Sequence, residues 1–107
     1  MERSDTDTKV ETGTVRPYVF SYISDDETSL VIEVTLPGVH KDAVDLKMRP
    51  DGFLLKAKRN DTTFETSGTF CCPVDVADVK AEYDNGLLRI VAPYEDPLKD
   101  ARRIEIG

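Results

Sequence analysis

Chemistry requires nucleophiles, acids or metal ligands brought together, and this chain offers few. Its single histidine, His40, lies in the turn-like stretch "PGVHKDA" beside Lys41 and Asp42, and no Ser–His or Cys–His pair suggests itself. Cys71 and Cys72 are adjacent. On a strand their side chains would point to opposite faces, so a disulfide between them would distort the backbone. They read instead as small apolar strand residues, and no zinc-like ligand spacing surrounds them. Asp25, Asp26 and Glu27 supply oxygen ligands without the spaced carboxylates and glycine of a calcium loop, and so read as a solvated turn. The glycines stand singly at turns and form no phosphate cradle. The expectation is a protein with no catalytic residues, no metal and no cofactor.

The elements that would position any site follow from length and patterning. A chain of 107 residues suits one domain with one modest core. Fourteen basic against 21 acidic side chains give a net charge of −7, which would repel nucleic acid and anionic membrane surfaces. No apolar run nears the ~20 residues of a membrane helix, and "MERSDTDTKVETGTVR" has no secretory apolar stretch. A cytoplasmic protein is expected.

Residues 1–14 carry charges and threonines, with Met1 and Val10 the only apolar members, and are expected to form a short polar mobile arm. Beyond Pro17 the period becomes two. Tyr18, Phe20 and Tyr22 share a face, as do Leu30, Ile32, Val34 and Leu36, with Val31 making that strand nearly two-sided. Pro37-Gly38 breaks the chain. Val44, Leu46 and Met48 then alternate with Asp45, Lys47 and Arg49, and "FLLKAKR" (53–59) continues beyond the turn "PDG". "NDTTFETSG" (60–68) reads as a polar connection, and "TFCCPV" (69–74) as a short strand that Pro73 confines to an edge or end. Val79, Ala81 and Tyr83 share a face before Asn85-Gly86, a strong type I′ hairpin signal, and Leu88 and Ile90 alternate after it. About seven to eight short strands without a helical period predict an all-β, immunoglobulin-like antiparallel β-sandwich.

Four motifs in order carry a family resemblance. "AEYDNGLL" (81–88) resembles the A-x-x-x-N-G-V-L signature of the α-crystallin domain, with Leu87 in the valine position. "LPGVHKDAVDLKM" (36–48) is similar to that family's L-P-G-V turn and following strand. "FCCP" (70–73) resembles its F-x-L-P, with Cys72 in the leucine slot, and "IEI" its C-terminal I-x-I. The sequence thus resembles the small heat-shock proteins. The resemblance implies a sandwich at 15–95 whose protomers pair, a C-terminal extension at 96–107, and an ATP-independent holdase for unfolding client proteins. Relatives usually carry a longer arm rich in Phe, whereas no aromatic residue precedes Tyr18 here. A weak holdase in a monomer–dimer equilibrium is therefore expected. The alternative is a non-chaperone adapter or co-chaperone-like module of the same fold.

The resemblance also implies a partner-binding groove between the strands matching 43–49 and 78–83. Alternation nominates Val44, Leu46, Met48, Val79, Ala81 and Tyr83 as its lining. Ile104 and Ile106, two apart, would present both side chains to one side of an extended tail and insert into the groove of another copy.

Overall fold

Eight strands and two 3-10 turns make up the computed structural model, which describes residues 13–98 and 100–107. The strands are β1 (Thr14–Val15), β2 (Tyr18–Ile23), β3 (Ser29–Thr35), β4 (Val44–Arg49), β5 (Gly52–Arg59), β6 (Thr62–Thr69), β7 (Lys80–Asp84) and β8 (Leu87–Pro93). The 3-10 turns are Lys41–Ala43 and Val76–Asp78. They form two four-stranded sheets, in the orders β1-β6-β5-β4 and β2-β3-β8-β7. Every pairing is antiparallel except that of β1 with β6. The fold is an all-β sandwich, as the alternation predicts.

The core is built by the period-two positions. Ile32 sits opposite Ile90, and Val34 opposite Leu88, in the register of β3 with β8. Leu55 and Ala57 of β5 supply the other sheet's contribution, and Phe64 of β6 adds to it. Ile32, Leu36, Leu55 and Ile90 are all 0–1% exposed. Full burial of each such side chain stabilises the fold by about 1.5–3 kcal/mol. Val31 faces the opposite way yet is also buried, so β3 is indeed two-sided. That suits a central strand flanked by β2 and β8.

Four expectations are corrected. The stretch 60–68 is not a loop, because Arg59 pairs with Thr62 and Asn60-Asp61 alone makes the turn. Asn60 takes φ 53° there, a left-handed conformation its short amide side chain tolerates. The rest is strand β6, whose Phe64 and Thr66 face Ala57 and Leu55. Conversely, 70–73 forms no strand, and Val74 makes only an isolated bridge with Tyr94. Pro73 has no N–H to give a ladder. In consequence Cys71 and Cys72 are exposed rather than packed as strand residues. Finally, the strand pattern reaches back to Thr14, within the segment expected to be mobile, because β1 lies beside Thr63 and Phe64. The remainder of that predicted arm, 1–12, lies outside the described residues.

The β2–β3 turn explains its acidic cluster. Asp26 accepts hydrogen bonds from the hydroxyls of Ser24 and Thr28, each at 2.7 Å, and from the Thr28 N–H at 3.2 Å. These bonds, that of the Thr28 hydroxyl foremost, hold the Asp26 carboxyl below its ordinary pKa. The carboxylate here shapes a turn.

Candidate functional site: the two open edges and the tail

β4 and β7 are end strands of their respective sheets, so each has one unpaired edge among the described residues. Register fixes which side chains face inward. Val44, Leu46 and Met48 stand opposite Ala57, Leu55 and Phe53. Ala81 and Tyr83 stand opposite Ile90 and Leu88. Since cross-strand partners share a face, all five point toward the space between the sheets.

They are nevertheless not sealed there. Val44, Leu46, Met48, Val79 and Tyr83 are half-buried against the core, and Ala81 is exposed although its partner Ile90 is fully buried. An inward alanine open to solvent marks the place where the sandwich margin gapes. Five of the six nominated residues therefore line the inner side of two open strands. Val79 lies just before β7, as the residue ending the 3-10 turn Val76–Asp78, with its N–H donating to Val76 O at 3.4 Å.

Tyr83 differs from the other five. Its hydroxyl lies 2.8 Å from Leu36 O and 2.6 Å from Val39 O, so its single proton is shared between two carbonyls of the "LPGV" turn. The Leu36 N–H in turn donates to Gly86 O at 2.7 Å. Two motifs forty residues apart thus meet in space, and Tyr83 is a strap across them. Tyr83→Phe is expected to remove about 0.5–1.5 kcal/mol, read as a Tm lower by roughly 2–10 °C in thermal unfolding. An unchanged Tm would mean that water replaces the hydroxyl without loss.

The tail isoleucines lie outside this groove in their own chain. Ile104 and Ile106 are 76% and 93% exposed, and no strand or helix includes residues 101–107. His40 serves its turn, with Nδ1 accepting from the Asp42 N–H at 3.3 Å.

Two surfaces went unmarked by sequence reasoning. The aromatic face of β2 points outward, because Val19 and Ser21 pair with the inward Val34 and Ile32. Tyr18 and Phe20 are 69% and 50% exposed, and Tyr18, Thr35 and Leu87 form one row across the sheet. Alternation shows that such residues share a face but not which side that face takes. A cleft of about 580 Å³ also opens between β2 and the end of β6, with Val19, Phe53, Phe70 and Tyr94 in its wall. No apolar alternation flags it, because Thr66, Ser67, Gly68 and Thr69 make up much of its lining.

An eight-stranded sandwich with open, apolar-lined margins and an exposed isoleucine tail defines an α-crystallin domain. The chain belongs to the Hsp20/alpha crystallin family, whose sequence profile matches residues 22–107. It is 30% identical over 110 residues to "18 kDa antigen 2" of Mycobacterium avium, covering 89% of this chain and 79% of that protein. Its fold is similar to that of heat shock protein 16.0 from Schizosaccharomyces pombe, with a TM-score of 0.71 and 18% identity over 94% of this chain and 81% of that one. It is likewise similar to a small heat-shock protein from Xylella fastidiosa, described as having a distinct high order structure. There the TM-score is 0.67 and the identity 19%, covering 85% and 95% of the two chains.

Proposed function

We propose that this protein is an ATP-independent holdase of modest capacity that binds unfolding proteins in the cytoplasm. The observation that carries the reading is the pair of open edge strands whose inward apolar side chains remain half-covered. Unfolding chains expose apolar segments, and an extended segment suits a slot between two strand edges. The small heat-shock family supplies the chaperone context, and two exposed free thiols suit a reducing compartment. A client mixed with this protein and heated should need a molar excess of it for protection, because each chain offers one narrow slot. Light scattering reads this directly. Protection at substoichiometric amounts would shift capture to another surface, with the outward Tyr18 and Phe20 the first candidates. No suppression at any ratio would favour the adapter reading.

Self-association is part of the proposal. The extended tail of one copy places Ile104 and Ile106 in the groove of another, with Glu105 toward water. Burying two isoleucines contributes about 3–6 kcal/mol before costs, and ordering each tail residue removes about 1–2 kcal/mol. One insertion is therefore weak, about millimolar to high micromolar. A monomer–dimer system is expected, not a particle of about twelve or more chains. Ile104→Ala with Ile106→Ala should lower the average mass at high concentration while leaving the Tm within about 2 °C, since surface truncations rarely exceed 0.5 kcal/mol. A large loss of Tm with unchanged mass would place those isoleucines in their own chain's core.

A further inference from the structure

The stretch that joins β6 to the Val74 bridge holds two thiols in a fixed attitude. Its ends are anchored, with Phe70 N–H donating to Asp51 O and Val74 N–H to Pro50 O, both at 2.9 Å. Pro73 O accepts from the Glu95 N–H at 3.0 Å. Phe70 stacks on Phe53 with ring centroids 6.1 Å apart. Between these anchors Cys71 and Cys72 are free and exposed, and their Sγ atoms lie 3.1 Å apart. The two sulfurs therefore converge on one point in solvent, although their residues are adjacent. They border an opening of about 730 Å³ walled also by Pro73, Tyr94 and Pro97.

We propose that Cys71 and Cys72 form a dithiol site that chelates trivalent arsenicals. Two soft sulfur donors select a thiophilic centre. A structural zinc site takes four ligands, and His40 is committed to its own turn. A two-coordinate linear ion would need its sulfurs on opposite sides of the metal, farther apart than these. Pyramidal As(III) instead takes two neighbouring sulfurs at close to a right angle and keeps a third position for its substituent. The opening beside Tyr94 has room for an aryl group there. The hydrogen bond with Cys71 is the main cause that pushes the Cys72 thiol above its ordinary pKa. The reaction is a condensation. An organoarsenic(III) oxide and two thiols form two As–S bonds, and the arsenic-bound oxygen leaves with both thiol protons as water. No oxidation state changes and no oxidant is required.

Phenylarsine oxide tests the site on the full chain. Intact-mass measurement should find one adduct per chain that survives excess 2-mercaptoethanol and is stripped by 2,3-dimercaptopropanol. Closing the second As–S bond within one molecule strengthens retention by about 10²–10⁴-fold. Cys71→Ser and Cys72→Ser should therefore each lose the adduct under the monothiol, with unchanged circular dichroism because both side chains are exposed. An adduct that either variant retains as well as the parent would overturn the proposal. So would a parent adduct that the monothiol removes, or one that forms only after denaturation.

Discussion

Leu55→Ala is expected to remove about 2–5 kcal/mol of folding stability, since it leaves a cavity in a fully packed place. Leu55 is 0% exposed and lies mid-strand in β5, with Leu46 opposite on one side and Thr66 on the other. A domain of this size is stable by only about 5–15 kcal/mol. The change should lower the Tm by roughly 10–30 °C, as thermal unfolding by circular dichroism would read. The effect should also reach the open edge at β4. Leu46 loses its cross-strand neighbour, and β4, which has no other partner strand among the described residues, is held less firmly against the core. Tail-dependent self-association should therefore weaken along with the fold. Leu54→Ala, on the opposite face and 36% exposed, is the control and should change stability far less. If both variants melt within a few degrees of the parent, Leu55 does not occupy the close-packed centre assigned to it.

The sequence marks 53–59 as a strand without separating its neighbouring leucines, whereas the faces of other strands were legible, and the reason is physical. Where one face of a strand is apolar and the pattern is long, register is strongly determined, because a one-residue slip would expose every core side chain. β3, β4 and β8 meet that condition, and their inward residues are those that alternation nominates. β6 does not. "TTFETSGT" has Phe64 as its only large apolar residue, and its second buried position is Thr66. Its β-branched threonines around Phe64 were the available signal. The reverse error at 70–73 came from treating Phe-Cys-Cys as apolar strand residues, although Pro73 and the anchored ends of that stretch shape it as a crossing segment. The β4 residues nominated for a groove were legible as a face, since Val44, Leu46 and Met48 do point inward. That Ala81 stays open to solvent depends on where two separate sheets end, which no local pattern encodes. The strap from Tyr83 to Leu36 and Val39 is equally invisible locally, because it joins positions more than forty residues apart.

Gly86→Val should be among the most damaging substitutions outside the core. Asn85 and Gly86 adopt φ 55° and 84°, the paired left-handed values of a type I′ turn closed by Asp84 and Leu87. A β-branched residue held at positive φ costs about 1–3 kcal/mol. A second contribution comes from packing. A Cβ at Gly86 would stand 3.4 Å from Pro37 Cα and 3.6 Å from Leu36 O, and valine's two methyls extend beyond it. To make room, the turn must draw back from the "LPGV" segment, which loosens the Leu36 N–H to Gly86 O bond, itself worth about 1 kcal/mol. The expected Tm loss is roughly 5–25 °C. Three substitutions separate the two causes. Gly86→Asn should be mildest, because Asn visits the left-handed region at low cost. Gly86→Ala should report the backbone strain alone, and Gly86→Val the strain plus the displaced contact. Equal losses for Ala and Val would remove the contact with Leu36 and Pro37 from the account. A valine variant melting within about 2 °C of the parent would remove the turn itself, and with it the register that turns Ala81 and Tyr83 toward the space between the sheets.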